Sequence, residues 1–174
     1  AEMQSFIDPA HARGIKVFFN IVANHTGIDD SKRLSPSRRA RLEGVLAASA
    51  LAVGLGVAGA VEIDRINILQ SALLAMAVAV EHLEPQADFL LIDGNHRTSL
   101  SLPQIAIVKG DARSASIAAA SIVAKVVRDQ MMLEFDRLYP AYNFAQHKGY
   151  PVPEHRQALE KLGPCPIHRR SYQW

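Results

Sequence analysis

Val108–Asp129 reads VKGDARSASIAAASIVAKVVRD, and this stretch decides the fold. It follows a short β-type run, Gln104–Val108, and it includes the turn KGD before a run of small and apolar residues. The small and then amphipathic residues from Ser114 to Leu138 predict one long helix, which Pro140 stops. A strand, a turn and a long helix in this order are typical of an α/β layer structure.

A second β-type run, Phe89–Ile92, ends in the turn Asp93-Gly94, so two strands are predicted to finish in polar turns. Upstream, Ser35-Pro36 supplies an N-cap and a first-turn proline for a helix that reaches about Ser49. The other predicted elements are, in chain order, a helix over residues 3–13, a buried strand over Ile15–Val22, a strand with close backbone approach over Leu51–Val61, and helices over Glu62–Leu83 and Pro153–Leu162.

Composition bounds the class of protein. With 174 residues, 49% of them hydrophobic and 21% charged, the chain fits one globular domain over residues 1–174. The net charge of +2 excludes a polycation, so contacts with nucleic acid must come from local groups of lysine and arginine. The single cysteine, Cys165, excludes an internal disulfide and favours a reducing, cytoplasmic compartment.

Ile66–Val80 is the most apolar stretch of the chain. It contains Asn67, Gln70 and Ser71 and is shorter than the roughly 20 residues that span a bilayer, so it predicts a buried helix. The first residues, AEMQ, show no basic start of a signal peptide. We therefore expect neither export nor a membrane partner.

Two carboxylates, Asp93 and Asp111, each stand just past the end of a predicted strand. Side chains in such positions can converge at one edge of an open sheet, and two carboxylates can hold a hard divalent cation. The alternative is that Asp93 is a turn residue beside Gly94 and that Asp111 caps the helix that begins near Ser114.

Cations and hydroxyls surround these turns and can contact phosphate, although each can also be a solvated surface group. They are His96, Arg97, Lys109, Arg113, Ser114, Ser121 and Lys125. Further along, the non-helical stretch from Gln146 to Pro151 combines His147, Lys148 and Tyr150, which could stack on a sugar or a base.

The motifs from Ile28 to Gln173 closely resemble those of bacterial ribonuclease HII. The matching stretches, in the family's order, are IDDSKRLS, EIDRINILQSALLAM, LLIDGN, the stretch quoted first, FAQHKGYP and HRRS. The resemblance implies an RNase H-like mixed sheet flanked by helices, and cleavage of RNA in an RNA-DNA hybrid or beside one ribonucleotide in duplex DNA. It also implies that four carboxylates hold Mg²⁺ or Mn²⁺.

The resemblance places two of the four metal-binding, catalytic carboxylates on Asp93 and Asp111, and it places the aromatic residue that meets the ribonucleotide's sugar on Tyr150. The other substrate-binding candidates are Arg113, Ser121, Lys125, His147 and Lys148. The family's remaining two carboxylates belong to an N-terminal pattern, Asp-Glu-x-Gly-Arg-Gly, that this sequence does not contain. We therefore expect at most one weakly held cation and little or no nuclease activity.

The segment Phe6–Gly27 instead resembles the helix and third barrel strand of the alpha-amylase family, whose motif ends in Asn-His, here Asn24 and His25. Asn20 stands where that motif usually has Asp. Two dissimilar segments meeting at Gly27 suggest an engineered chimera, in which a helix-strand unit replaces the family's first strands. The amylase's other catalytic carboxylates have no counterpart here, so we expect no glycosidase activity.

Two alternatives to an impaired nuclease stay open. One is a recombined folding scaffold with no biological activity, and the other is a non-catalytic binder of duplex nucleic acid that uses Arg113, Lys125, His147 and Lys148. Because one strand would replace a two-strand hairpin, we also expect an open sheet edge, and hence homodimers or strand exchange between chains.

Overall fold

The computed structural model describes residues 35–172. The predicted N-terminal helix, the strand over Ile15–Val22 and the junction at Gly27 lie outside the described residues. The described elements are, in chain order, α1 (Pro36–Ser49), α2 (Ala60–Glu81), β1 (Leu90–Asp93), β2 (Gln104–Ile107), a 3-10 helix (Gly110–Ala112), α3 (Ala115–Leu138), a 3-10 helix (Pro140–Tyr142), α4 (Phe144–His147) and α5 (Pro153–Leu162).

The strands β1 and β2 are parallel, and their register pairs Leu90 with Gln104 and Asp93 with Ile107. Both predicted strands are thus confirmed to within one residue at each end. In the described part of the chain this parallel pair is the whole sheet, rather than the mixed sheet that the resemblance implies. Because parallel strands end at the same edge, the turns after β1 and β2 lie side by side.

Capping residues set the helix ends that the sequence predicts. The hydroxyl of Ser35 accepts a hydrogen bond from the backbone N–H of Arg38, at 3.3 Å, and so caps α1. Ser114 is the N-cap of α3, and its Oγ accepts from the Ile117 N–H at 3.5 Å. The alanine-rich first half of α3 lets α1 pack closely against it, and the shared core is Leu46, Ala119, Ile122 and Val123.

The predicted strand over Leu51–Val61 is wrong for the described residues. The chain runs without regular structure to Gly59, pairs with no strand within residues 35–172, and then enters α2 at Ala60. The predicted close approach is nevertheless confirmed: a Cβ on Gly54 would lie 1.9 Å from the Ala79 carbonyl oxygen, and one on Gly56 would lie 1.9 Å from that of Ala75. The segment therefore lies directly on the backbone of α2, and the glycines serve that contact rather than a sheet.

Helix α2 contains a break at Asn67, which has φ 67° and ψ 167°. The Asn67 side-chain oxygen accepts from the Gln70 N–H at 3.1 Å, so this residue caps the second half of the helix. By length and composition alone, α2 is the one helix within residues 35–172 that could cross a membrane. Several of its small side chains, including Ser71 and Ala75, are buried, whereas Val61 and Leu74 are exposed.

The C-terminal segment is fastened to α2 through Asp64. Its carboxylate accepts hydrogen bonds from the backbone N–H groups of Arg170, at 2.8 Å, and Ser171, at 2.9 Å. The Ser171 hydroxyl also donates to Asp64. All three hydrogen bonds lower the pKa of the Asp64 carboxyl, and the one from the hydroxyl has the largest effect. The motifs EIDR and HRRS, far apart in the sequence, are thus joined in the fold.

Candidate active site

The turn after β2, which contains Asp111, contacts the side chain of Asp93. The Gly110 N–H donates to Asp93 Oδ1 at 2.7 Å, and Asp111 is the next residue in the 3-10 helix. A side chain at position 110 would not fit, because its Cβ would lie 2.6 Å from Ile117 Cδ1 and 3.1 Å from Asp93 Oδ1. Gly110 therefore allows the close approach of the two turns that the sequence could only predict.

The hydrogen bonds of the two aspartates distinguish between their alternative roles. Asp111 Oδ1 accepts from the neighbouring Ala112 N–H at 2.9 Å, whereas Ser114 caps α3. The interpretation of Asp111 as the cap of that helix is therefore wrong. Asp93 accepts a hydrogen bond from Gly110, which lies in the turn after β2. It is therefore more than a residue of its own turn beside Gly94.

The donor set of this pair fits one hard cation. No described residue donates a hydrogen bond to Oδ2 of Asp93 or Asp111, so each carboxylate has an oxygen available as a ligand. Carboxylate oxygens, completed by water and phosphate, are the ligands that Mg²⁺ and Mn²⁺ take in proteins. Among residues 35–172 no third histidine, cysteine or acidic side chain joins them in a metal-binding group. Two carboxylates are half of the set that the family resemblance implies.

A second group of predicted residues meets around Tyr150. Lys125 Nζ lies 5.7 Å from the centroid of the Tyr150 ring, and Arg128 Cζ lies 5.3 Å from it. Arg128 Nη2 also donates to the Lys148 carbonyl at 2.9 Å. Sequence reasoning missed Arg128, although its place one turn after Lys125 on a predicted helix is a signal that could have found it.

Asp129 holds the ammonium group of Lys125 in place. It forms an ion pair with Lys125 Nζ through Oδ1, and Oδ2 lies 3.5 Å from Arg39 Nη2 of α1. Arg39 is buried, so the network links the interface of α1 and α3 to the group around Tyr150. Neither Arg39 nor Asp129 was predicted to belong to the site.

The remaining candidates differ in solvent exposure and in the hydrogen bonds that their side chains make. Arg113 is exposed and lies at the turn of Asp111, where its Nη1 donates to the Val108 carbonyl at 3.5 Å. Ser121 is buried on α3, and its Oγ has no hydrogen-bond partner among the described residues. Lys148 Nζ donates to the Ala145 carbonyl at 2.6 Å. Direct contact of these residues with a substrate stays a prediction.

His147 belongs to a buried group of three histidines beneath Tyr150. Its Nε2 lies 2.6 Å from the Tyr142 carbonyl, and its Nδ1 accepts from the Gly149 N–H at 3.1 Å. Both ring nitrogens are therefore used within the protein, and the contact of His147 with substrate that the sequence predicts would need a change of partner. As placed, it supports the bend of the chain at Gly149.

The other two histidines form a chain of hydrogen bonds that ends on Tyr150. His155 Nδ1 lies 2.9 Å from the Tyr150 carbonyl, and since a carbonyl only accepts, this nitrogen carries the proton. His155 Nε2 then accepts from His168 Nε2, at 3.0 Å, and His168 Nδ1 accepts from the Cys165 N–H, also at 3.0 Å. Each ring is thus neutral and in a defined tautomer.

Acid is expected to destabilise the fold through this pair. Burial first, and then the charge of His155, lowers the pKa of His168 from 6.5 to about 4, and burial also lowers the pKa of His155. At low pH the unfolded chain therefore binds more protons than the folded one. The free energy of unfolding is highest above about pH 6.5 and falls toward pH 4, by on the order of 3 kcal/mol for His168. Urea unfolding across this range measures it.

His168→Gln provides the control, because glutamine can hydrogen-bond but does not titrate in this range. The variant should be less stable at neutral pH and should show a smaller loss of unfolding free energy on acidification. A pH dependence identical to that of the unchanged protein would show that His168 is not the group responsible.

Comparison with known proteins identifies the family to which the chain is similar. The family model described as Ribonuclease HII matches residues 18–174. Ribonuclease HII of Geobacter metallireducens is 56% identical over 147 residues, which are 84% of this chain and 69% of that protein. Ribonuclease HII of Geobacter sulfurreducens is 53% identical over 147 residues, with 84% of this chain and 68% of that protein covered.

The fold is similar to a solved structure as well. The crystal structure of the ribonuclease H2 from Pyrococcus horikoshii OT3 matches with a TM-score of 0.63 and 25% sequence identity, over 83% of this chain and 76% of that chain. This confirms the predicted α/β, RNase H-like fold. The family match begins at residue 18 rather than at Ile28, so it includes part of the segment that resembles an amylase. By its motifs, its fold and its similarity to these relatives, the chain belongs to the ribonuclease HII family.

Proposed function

We propose that this chain is a metal-dependent endonuclease of the ribonuclease HII type, which acts on RNA-DNA hybrids or beside a ribonucleotide in duplex DNA. The observation that supports the proposal is the hydrogen bond from the Gly110 N–H to Asp93, because Gly110 directly precedes Asp111 in the chain. The basic group around Tyr150, on the same helix that follows these turns, supplies a surface for the nucleic acid.

Some residues of the site supply charge, and others hold the charged groups in position. Asp93 and Asp111 provide the anionic oxygens for a divalent cation, and the Gly110 N–H holds the Asp93 carboxylate in one orientation. When bound, the cation supplies Lewis-acid stabilisation of the charge that develops on the reacting phosphate. Lys125 attracts the phosphate backbone, and the Tyr150 ring, which Arg128 faces, offers a surface on which a sugar or base can stack.

We further infer that the activity is strongly reduced. The family resemblance implies four carboxylates, whereas the Asp-Glu pattern is missing from the sequence and two candidate ligands are found within residues 35–172. In-line displacement by two cations needs both ions held roughly 4 Å apart, and two carboxylates hold such a pair poorly. The loss of a preorganised ion can cost several kcal/mol of transition-state stabilisation, where about 1.4 kcal/mol is tenfold in rate.

A cleavage assay tests both parts of the proposal. A DNA duplex with one ribonucleotide, an RNA-DNA hybrid and an all-DNA duplex are incubated with Mg²⁺, Mn²⁺ or a chelator, beside an intact family member. We expect cutting only at ribonucleotides, only with metal, and at least about a thousandfold more slowly than by the intact enzyme. A rate near that of the intact enzyme would refute the impairment, and cutting without metal would refute the type of nuclease.

The second candidate function is a duplex binder without catalysis. It is favoured by the basic group around Tyr150, which would remain able to bind phosphate when cleavage is lost. Its signature is an affinity that falls steeply with salt while no product forms. Absence of both binding and cleavage would instead favour a recombined scaffold with no activity, which the chimeric interpretation of residues 1–27 allows.

Self-association is a further part of the proposal. The segment before α2 pairs with no strand within residues 35–172, and Gly54 and Gly56 in it are buried. The exposed side chains along it are apolar: Leu51, Val53, Leu55 and Val57. Such an extended apolar edge favours pairing with a second chain. We expect a mean mass by light scattering that rises with protein concentration, and a constant monomeric mass would contradict this expectation.

A further inference from the structure

The Tyr150 ring has two cationic neighbours on α3, and the two are held very differently. Lys125 Nζ is engaged by Asp129 in an ion pair. The guanidinium of Arg128 lies closer to the ring, at 5.3 Å from its centroid against 5.7 Å for Lys125 Nζ. Only the guanidinium is planar and can face an aromatic ring while it donates hydrogen bonds from its edge.

Arg128 is buried, with 6% of its surface exposed, and a buried charge is costly unless the surroundings compensate it. Burial lowers the pKa of Arg128. Its Nη2 donates to the Lys148 carbonyl at 2.9 Å, and a Cβ on Gly149 would lie 3.8 Å from the same nitrogen. The chain at Lys148 and Gly149 thus bends, with φ 52° and 77°, directly over the guanidinium.

The backbone of Tyr150 is held by other groups. Its N–H donates to the His147 carbonyl at 2.9 Å, and its carbonyl accepts from His155 Nδ1 at 2.9 Å. These two bonds place the main chain of the tyrosine without help from Arg128. What the guanidinium adds is a surface against the ring and a brace on the residue just before the bend.

We propose that Arg128 is a positioning residue that sets the orientation of the Tyr150 ring, and through it the preference for a duplex that contains a ribonucleotide. The inference rests on the proposed function, in which Tyr150 meets the sugar of the substrate. Arg128 itself needs no contact with the nucleic acid in this role. Its effect is transmitted by the ring that it faces and by the Lys148 carbonyl.

The test compares affinities for two duplexes of one sequence, with and without a single ribonucleotide, by fluorescence anisotropy in Mg²⁺ before any product forms. Arg128→Lys keeps the charge but loses the planar fork, and we expect it to reduce the preference for the ribonucleotide by about tenfold. Arg137→Lys, at an exposed arginine of the same helix that pairs with Glu134, is the matched control and should leave the preference unchanged.

A double-mutant cycle separates positioning from general support of the fold. In a Tyr150→Ala background, Arg128→Lys should cause no further loss of preference, because the ring through which it acts is gone. A full additional loss, or an unchanged preference in Arg128→Lys alone, would overturn the inference and leave the proposed function standing. No preference in the unchanged protein would overturn both.

A measurement on the unchanged protein covers the case in which Arg128→Lys does not fold. Proton NMR should show through-space contacts between the Arg128 guanidinium protons and the Tyr150 ring, with slow solvent exchange of those protons. A Tyr150 ring that gives no contact to Arg128 would contradict the proposed positioning role.

Discussion

Asp93→Asn is expected to lower the metal-dependent cleavage of a ribonucleotide-containing duplex by at least about a hundredfold relative to the unchanged chain. Asparagine has nearly the same shape, and its carbonyl oxygen can still accept the hydrogen bond that Asp93 Oδ1 takes from Gly110. The fold is therefore expected to survive, while the site loses half of its negative charge. Initial rates in Mn²⁺ measure the effect.

Two further variants make this result specific. Asp111→Asn should cause a loss of the same size, because the two carboxylates serve the same cation. Asp88→Asn, at an exposed aspartate outside the site, should retain the full rate. If Asp93→Asn cuts as fast as the unchanged chain, the observed cleavage comes from another site or from a contaminating nuclease.

Gly56→Ala is expected to destabilise the fold by about 3 kcal/mol or more, since overpacking against a fixed backbone cannot be relieved by a rotamer change. The added Cβ would lie 1.9 Å from the Ala75 carbonyl oxygen and 2.8 Å from the Ala79 nitrogen. Both are backbone atoms of α2, so the segment or the helix must move away. Urea unfolding, with the soluble yield as a first indication, measures the change.

Gly44→Ala is the matched control for this prediction. No atom of the described residues lies within 4 Å of a Cβ at Gly44, which is inside α1, so alanine there should stabilise the protein by up to about 1 kcal/mol through helix propensity. Equal stability of Gly56→Ala and the unchanged chain would show that the segment before α2 does not lie on that helix.

Element ends that local chemistry determines could be predicted from the sequence. Ser35-Pro36 starts α1, Ser114 caps α3, and the helix over Pro153–Leu162 has the predicted bounds. In each case a capping side chain or a proline acts on its own neighbours, so no knowledge of the tertiary fold is needed. The family motifs extended this to the fold class and to the candidate carboxylates.

Features that depend on distant partners could not be predicted in this way. A strand over Leu51–Val61 needs a neighbour to pair with, and the glycines that suggested a close approach meet a helix instead. The break in α2 at Asn67 lies within an otherwise apolar helical pattern. The chain of hydrogen bonds from Cys165 to Tyr150 joins residues whose side chains meet only after folding.

The same division holds within the candidate site. Sequence placed Asp93 and Asp111 at the ends of two strands, but the contact between their turns depends on the parallel pairing of β1 with β2 and on the N–H of Gly110. Arg128 was missed because its role comes from a loop 20 residues further along the chain. Its spacing from Lys125 shows a shared helix face, but not which aromatic ring that face meets.

The stoichiometry of Mn²⁺ binding, measured by calorimetry on the unchanged chain and on Asp93→Asn, tests the central claim most directly. We expect a single weak site per chain in the unchanged protein and no binding to Asp93→Asn, because Asp93 and Asp111 together hold one cation. Two tightly bound ions per chain, or a site that survives the loss of the Asp93 carboxylate, would contradict this.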